Sequence, residues 1–274
     1  MDDFITFDHL CRRFDLSEPW LARMIYRRPK KFLDAVDDVS FAIERGKTYA
    51  LVGESGSGKS TIARIAVGLL APSSGEVRIE GTNLHDPNLS PAENRRVRQR
   101  LQMVFQSPFA SLNPRWRVGS ILAEPLRVFK LVDGEQAETA RVRELLEQVG
   151  LSASDAKRFP HEFSGGQRQR ISIARALASK PDFIVCDEPT SALDVSVQAQ
   201  VLNLLKQLQQ DLGLTYLFIT HDLAVVRVMA HRIGVLKSGK LVEEQATADL
   251  IESPQSDYTR MLIRSAPRIH REAS

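Results

Sequence analysis

Eight residues carry the densest chemical signal in the chain: Gly53-Glu54-Ser55-Gly56-Ser57-Gly58-Lys59-Ser60. They fit the pattern G-x-x-x-x-G-K-[ST], whose glycines let the backbone curl so that successive N–H groups point at phosphate oxygens. Lys59 would reach the β- and γ-phosphates as a point charge, and Ser60 would place its hydroxyl on Mg²⁺. The flanks suit this chemistry. Thr48–Val52 is apolar and short enough for a buried strand, and Thr61–Leu70 has helical length and apolar content, so a helix N-terminus adds partial positive charge at the phosphates. The stretch predicts a nucleotide site made by Gly53, Glu54, Ser55, Gly56, Ser57, Gly58, Lys59, Ser60 and Thr61.

Three other places could join it. Phe183–Asp187 reads as an apolar strand that ends in Asp187-Glu188. An acid there suits Mg²⁺, and its neighbour suits orienting or deprotonating an attacking water. Gln106 ends the predicted strand Leu101–Phe105, and His221 ends Tyr216–Thr220. Each of these two is unremarkable alone. Together with the glycine loop and Asp187-Glu188 they sit at carboxyl ends of predicted parallel strands, where doubly wound sheets bind ligands. The fourth place is Phe163-Ser164-Gly165-Gly166-Gln167. Ser164 suits a helix N-cap, and the glycines leave the first N–H groups open to a second anion. From the residues alone two readings stand: an ordinary capped helix, or a helix start that meets the phosphates held by a second subunit packed head to tail.

The elements that must position these groups follow an α/β pattern. Residues 4–10 and 36–43 read as N-terminal strands, Gly75–Ile79 as another, and Pro91–Arg100 as a charged helix. Between 107 and 178 only helical patterns occur, at Val118–Phe129, Glu135–Val149 and Gly165–Ala178, so this stretch is expected to be an inserted helical subdomain. Alternation returns with a helix at Val195–Leu212, a helix at Leu223–Met229, and a hairpin of Ile233–Leu236 with Lys240–Glu244. Strands alternating with helices imply a parallel, doubly wound sheet. Trp20, Leu21, Met24 and Ile25 share one helical face, and the basic run Arg27–Lys31 after them reads as a solvated insertion.

Composition bounds the possibilities. The chain has 274 residues, 43% hydrophobic and 26% charged, which is ordinary for a globular protein with a sizeable core. A net charge of +3 gives no reason to expect a nucleic-acid partner. Cys11 and Cys186 are too few for a disulfide framework and suit a reducing compartment. No stretch approaches the apolar length of a membrane span, and the acidic start Met1-Asp2-Asp3 has no signal-peptide pattern, so a link to a membrane is expected to run through partners.

Over about residues 36–245 the chain resembles the ATP-binding subunit of ABC transporters. The motifs stand in order: GESGSGKS at 53–60, Gln106, FSGGQ at 163–167, FIVCDEP at 183–189, SALD at 191–194, and His221. Phe163 replaces the commoner Leu. The finer resemblance is to the peptide/nickel (oligopeptide/dipeptide) uptake branch, through QSPFASLNPR at 106–115, RFPHEFSGGQRQRISIARAL at 158–177, DEPTSALDVSVQAQVLNLL at 187–205 and FITHDLAVV at 218–226. Near the end, Asp257-Tyr258-Thr259 departs from that branch's usual His-Pro-Tyr, and with no cysteine after Cys186 no iron–sulfur cluster is expected.

The resemblance implies a P-loop NTPase (RecA-like) doubly wound core with an N-terminal antiparallel β portion and an inserted α-helical subdomain. It implies an ABC ATPase domain over 1–245, with its core at 1–106 and 179–245, the helical subdomain at about 107–178, and a C-terminal extension at 246–274. Two ATP molecules would lie between two such subunits, with Ser164, Gly165, Gly166 and Gln167 contributed from the opposite one. Glu188 would polarise water, His221 would hold the γ-phosphate, and Gln106 would sense it, with Ser60, Gln106 and Asp187 around Mg²⁺. An aromatic side chain would stack on adenine, with Phe32 and Tyr26 as candidates. The implied partners are two transmembrane permease subunits, a second ATPase subunit (a copy or a paralogue) and an extracytoplasmic solute-binding protein. The implied location is the cytoplasmic face of a bacterial inner membrane, held there peripherally. A soluble ABC-type ATPase acting on nucleic acid or ribosomes is the rival reading, and a P-loop kinase is a third; the chain lacks the long coiled-coil insertion or tandem cassette of the former, and FSGGQ argues against the latter.

Overall fold

A computed structural model describes residues 3–17, Met24 and 29–265. Tyr26 and most of the expected face through Trp20, Leu21 and Ile25 lie outside these. Among the described residues, strands form two sheets. The first is antiparallel, with β1 (Asp3–Asp15), β2 (Phe32–Glu44), β4 (Ser74–Ile79) and β5 (Thr82–Asn83) in the order β2-β1-β4-β5. The second contains β3 (Thr48–Val52), β6 (Leu101–Val104), β7 (Phe183–Asp187), β8 (Thr215–Ile219), β9 (Arg232–Lys237) and β10 (Lys240–Ala246) in the order β10-β9-β3-β8-β7-β6. Its ladders are parallel except for the β9–β10 hairpin. Every residue of β3, β7 and β8 is buried, as expected of parallel strands covered on both faces.

Helix α1 (Lys59–Ala66) follows β3 and buries Ile62 and Ile65 in the core between the sheets. It ends earlier than the expected Leu70 because Gly68 turns left-handed at φ +72° and its carbonyl accepts from Arg98. Phe7, Phe41 and Tyr49 stack across the same core, with ring centroids 4.1 and 4.5 Å apart. Arg98 belongs to α2 (Pro91–Arg100), which opens with a capping box of Ser90 and Glu93.

The other face of the parallel sheet is covered by helices. They are α3 (Pro108–Ser111), α4 (Val118–Phe129), α5 (Gly134–Gln148), α6 (Gly165–Leu177), α7 (Val195–Leu212) and α8 (Leu223–Met229). Leu122, Leu145 and Ile171 share one continuous core with Ile184 and Phe218 of the sheet. Arg175 on α6 ties this layer together, donating to the Ser111 carbonyl and to Glu124, each at 2.9 Å. Two further helices, α9 (Thr247–Glu252) and α10 (Asp257–Ser265), return to β3 and β9 through Leu250 and Tyr258, which pack with Ala50, Val52 and Val235.

The long N-terminal ribbon differs from the expected short strands. β1 runs to Asp15 rather than Leu10 and β2 begins at Phe32 rather than Val36, because register shifts at His9 (φ +45°) and Asp38 (φ +55°) break the apolar alternation without ending the pairing. Phe218, wholly buried on the central strand β8, tests the sheet's role. Phe218→Ala should lower stability by about 3–5 kcal/mol, read as a reduced midpoint in urea unfolding.

Candidate active site

The parallel order β3-β8-β7-β6 brings four strand ends to one edge of the sheet. The glycine loop leaves β3, His221 follows β8, Asp187-Glu188 end β7, and Gln106 follows β6. Two glycines of the loop have no substitute. Gly53 (φ +152°) would place a Cβ 2.1 Å from the Leu236 carbonyl, and Gly58 (φ +109°) would place one 2.2 Å from the Ala35 carbonyl. The loop is therefore pressed against β9 on one side and β2 on the other. Within it, Lys59 donates to the carbonyls of Gly53 (2.8 Å) and Glu54 (2.7 Å) and to Ser57 Oγ (3.3 Å). Burial pulls the Lys59 ammonium below its usual pKa, while Glu188, Asp187 and Glu54 oppose that shift.

Glu188 adopts φ +46°, uncommon for a residue with a side chain, and its N–H donates to the Ile219 carbonyl at 2.9 Å. Its carboxylate accepts from Gln106 Nε2 at 2.9 Å and pairs with His221 Nδ1 at 3.1 Å. A carboxylate only accepts, so the His221 proton sits on Nδ1. Next to it, Ser60 Oγ donates to Asp187 Oδ1 at 3.2 Å. Burial pushes the Asp187 carboxyl up, the Ser60 hydrogen bond pulls it down, and the Glu188 charge adds to the rise. A cleft of about 700 Å³ opens over these groups, with Ser55, Gly56, Lys59, Ser60, Thr61, Gln106, Glu188 and His221 among its walls.

Phe14 and Leu33 form the far wall of the cleft. Neither was expected there. They are cross-strand partners in the β1–β2 ribbon, whereas Phe32 pairs with Asp15, one position away and on the opposite face. Phe32 is half exposed beside the Arg13 guanidinium and does not line the cleft. Of the two aromatic candidates, then, Phe32 is turned away and Tyr26 lies outside the described residues; the aromatic ring that lines the cleft is that of Phe14. A register between strands separated by the 16–31 segment has no local signal that could have revealed it.

Ser164, Gly165, Gly166 and Gln167 do not line this cleft. They form the start of α6 as a capping box: Ser164 Oγ accepts from the Gln167 N–H (3.3 Å), and Gln167 Oε1 accepts from the Ser164 N–H (3.0 Å). Gln167 therefore serves the helix start. Gly166 has a packing reason of its own, since a Cβ there would lie 2.3 Å from Val197 Cγ1 on α7.

Known proteins share this arrangement. The family described as ABC transporter matches residues 36–191. The chain belongs to the ABC transporter family. A putative peptide import ATP-binding protein of Brucella abortus (strain 2308) is 51% identical over 273 residues, covering 99% of this chain and 79% of its own length. The oligopeptide transport ATP-binding protein OppF of Bacillus subtilis (strain 168) is 52% identical over 239 residues, covering 87% of this chain and 78% of its own. Among solved structures, the ATP-binding cassette MJ0796, dimeric in a post-hydrolysis state with ADP and Pi, superposes with a TM-score of 0.74 at 29% identity, over 89% of this chain and 98% of that one. The doubly wound fold with its antiparallel β portion is thus that of an ABC ATPase cassette, and its activity is ATP hydrolysis.

The contact between α6 and α7 gives a test within this family member. Gly166→Ala should destabilise the protein by about 1–3 kcal/mol through overpacking. Val197→Ala in the same chain should restore most of the loss of thermal midpoint by making room for the added methyl.

Proposed function

We propose that this chain is the motor subunit of an importer for peptides or a related small solute, hydrolysing ATP at the cytoplasmic face of a bacterial inner membrane. The observation that carries the proposal is the Glu188 carboxylate held between Gln106 and His221 beside the Lys59 cradle. The similarity to proteins named for peptide import, at about half identity over nearly the whole chain, supports the solute class. Among the described residues no helix is long and apolar enough to cross a membrane, so transport would need permease subunits.

In this reading Lys59 offsets the charge of the β- and γ-phosphates, the loop amides and the Thr61 hydroxyl donate to phosphate oxygens, and Phe14 offers its ring to adenine across the cleft. Ser60 Oγ and Asp187 Oδ1, 3.2 Å apart, are hard oxygen donors that suit Mg²⁺ with Gln106 beside them. That ion, when bound, offsets charge on the phosphates. Glu188 accepts a proton from, or orients, the attacking water. His221 steadies that carboxylate by donating to it through Nδ1. Positioning and fixed charge supply most of the acceleration.

The site so built is half of a pair. The Ser164–Gln167 helix start lies outside its own chain's cleft, which suits a head-to-tail dimer in which it meets the ATP of a second ATPase subunit. MJ0796 is dimeric with ADP and Pi. Residues 1–245 would act as the cassette, with 107–178 as its helical subdomain and 246–274 as an extension. Beside Gln106, a groove of about 350 Å³ runs between α4 and the end of β6, with Phe105, Val128 and Phe129 on its walls. It suits a cytoplasmic helix of a permease, and an extracytoplasmic binding protein would deliver solute to the far side.

Two experiments test the proposal. Glu188→Gln should cut turnover at least about a hundredfold, the scale of a lost general base, while ATP binding persists; near-normal hydrolysis would sink the assignment. A tagged chain purified from detergent-solubilised membranes should carry two permeases with it, and recovery without any membrane protein would count against the importer.

A further inference from the structure

The Gly53–Glu54 peptide, at the entry of the phosphate loop, is gripped from both ends. Its carbonyl, that of Gly53, accepts from Lys59 Nζ at 2.8 Å. Its N–H donates to the Tyr258 hydroxyl at 3.3 Å, from a residue 204 positions further along the chain. The mechanism above makes no use of this second contact. Nor does Tyr258 line the cleft, so it touches no reacting atom.

The tyrosine is firmly placed. Its ring is buried with Val52, Val235 and Leu250, and the Lys237 ammonium stands 4.7 Å from the ring centroid. The helix that carries it, α10, is pinned at its start by Glu243 of β10. That buried carboxylate accepts from the Gln255 N–H at 2.8 Å and the Ser256 N–H at 3.0 Å. A rigid path thus leads from the β9–β10 hairpin, through Glu243 and α10, to one amide of the loop. The loop also leans on that hairpin directly, since Gly239 N–H donates to the Ser57 carbonyl at 2.9 Å.

We propose that Tyr258 is a positioning residue for ATP binding, and that the C-terminal helix α10 sets the entry of the phosphate loop through its hydroxyl. Glu54 is where the chain leaves β3 and begins to curl. Fixing the Glu54 N–H fixes the plane of the Gly53–Glu54 peptide and so aims the Gly53 carbonyl at Lys59, which in turn places the ammonium among the phosphate-facing amides. Order supplied before the nucleotide arrives need not be supplied by binding. The proposal rests on the reading that Gly53–Thr61 holds the phosphates.

Tyr258→Phe removes the hydroxyl and keeps the ring, so the fold should survive. In the full chain, titration calorimetry with MgATP and with MgADP should show both weakened by about three- to tenfold, the scale of one lost hydrogen bond in a buried setting. KM for ATP should rise by the same factor, with kcat within about twofold of the parent, since loop order serves ground and transition states alike. Hydrogen exchange at the Glu54 amide should quicken, and the thermal midpoint should stay. Unchanged affinity and exchange would overturn the proposal, as would a loss of affinity that merely tracks a fall in the thermal midpoint. Lys59→Ala, measured alongside, separates the two layers: poor binding there with a normal Tyr258→Phe sinks only the positioning role, whereas normal binding in Lys59→Ala sinks the phosphate-loop reading itself.

Discussion

The parallel ladder β3-β8-β7-β6 fixes where four strands stop, and nearly every property of the site descends from that alignment. Register pairs Leu51 with Ile219 and Asp187 with Ile219, so the residues just beyond these pairs emerge side by side. Glu188 then turns left-handed instead of extending β7, with its N–H still bonded to Ile219. That turn places its carboxylate between Gln106 from one neighbour and His221 from another. A slip of one residue in either ladder would invert the faces of the strand and scatter the three groups.

Collecting these charges is costly, and the surroundings show how the cost is met. Lys59 and Asp187 are both buried, and burial pushes each towards its neutral form. Neither is left bare: the ammonium has two carbonyls and a hydroxyl, and the carboxylate has Ser60. The rigid backbone beneath them matters as much. Gly53 and Gly58 allow the loop to lie directly against carbonyls of β9 and β2, so packing constrains its curvature alongside its hydrogen bonds. The many exposed ion pairs elsewhere, such as Arg143 with Glu147, add little by comparison, because water screens them.

The sequence made some of this readable and hid the rest for identifiable reasons. The glycine loop, the Asp187-Glu188 strand end and the helices at 118–129, 195–212 and 223–229 declare themselves locally, through spacing and periodicity. Even the convergence of Gln106 and His221 follows from topology once strands alternate with helices. The wall at Phe14 did not, because it depends on how β1 and β2 pair across the 16–31 segment, and the polar stretch Cys11–Asp15 carries no alternation to fix it. The packing reason for Gly166 was equally hidden: its neighbour Val197 lies on a different helix, 31 residues away by the numbering of the two positions.

The starts of α6 and α7 touch through Gly166 and Val197 and, more loosely, through Gly165 and Leu193. Leu193 and Asp194 belong to the short turn that leaves Glu188, where Ser191 donates to the Glu188 carbonyl at 3.1 Å. The Ser164 helix start and the Glu188 carboxylate of one chain are therefore linked through a few tightly packed residues. In the proposed dimer those two features serve different ATP molecules. A displacement of the helix start would reach this chain's own Glu188, because close packing without a methyl's width of slack passes displacement on rather than absorbing it. Gly166 is thus a requirement of the close contact between the two helix starts, and a larger residue there would disturb it.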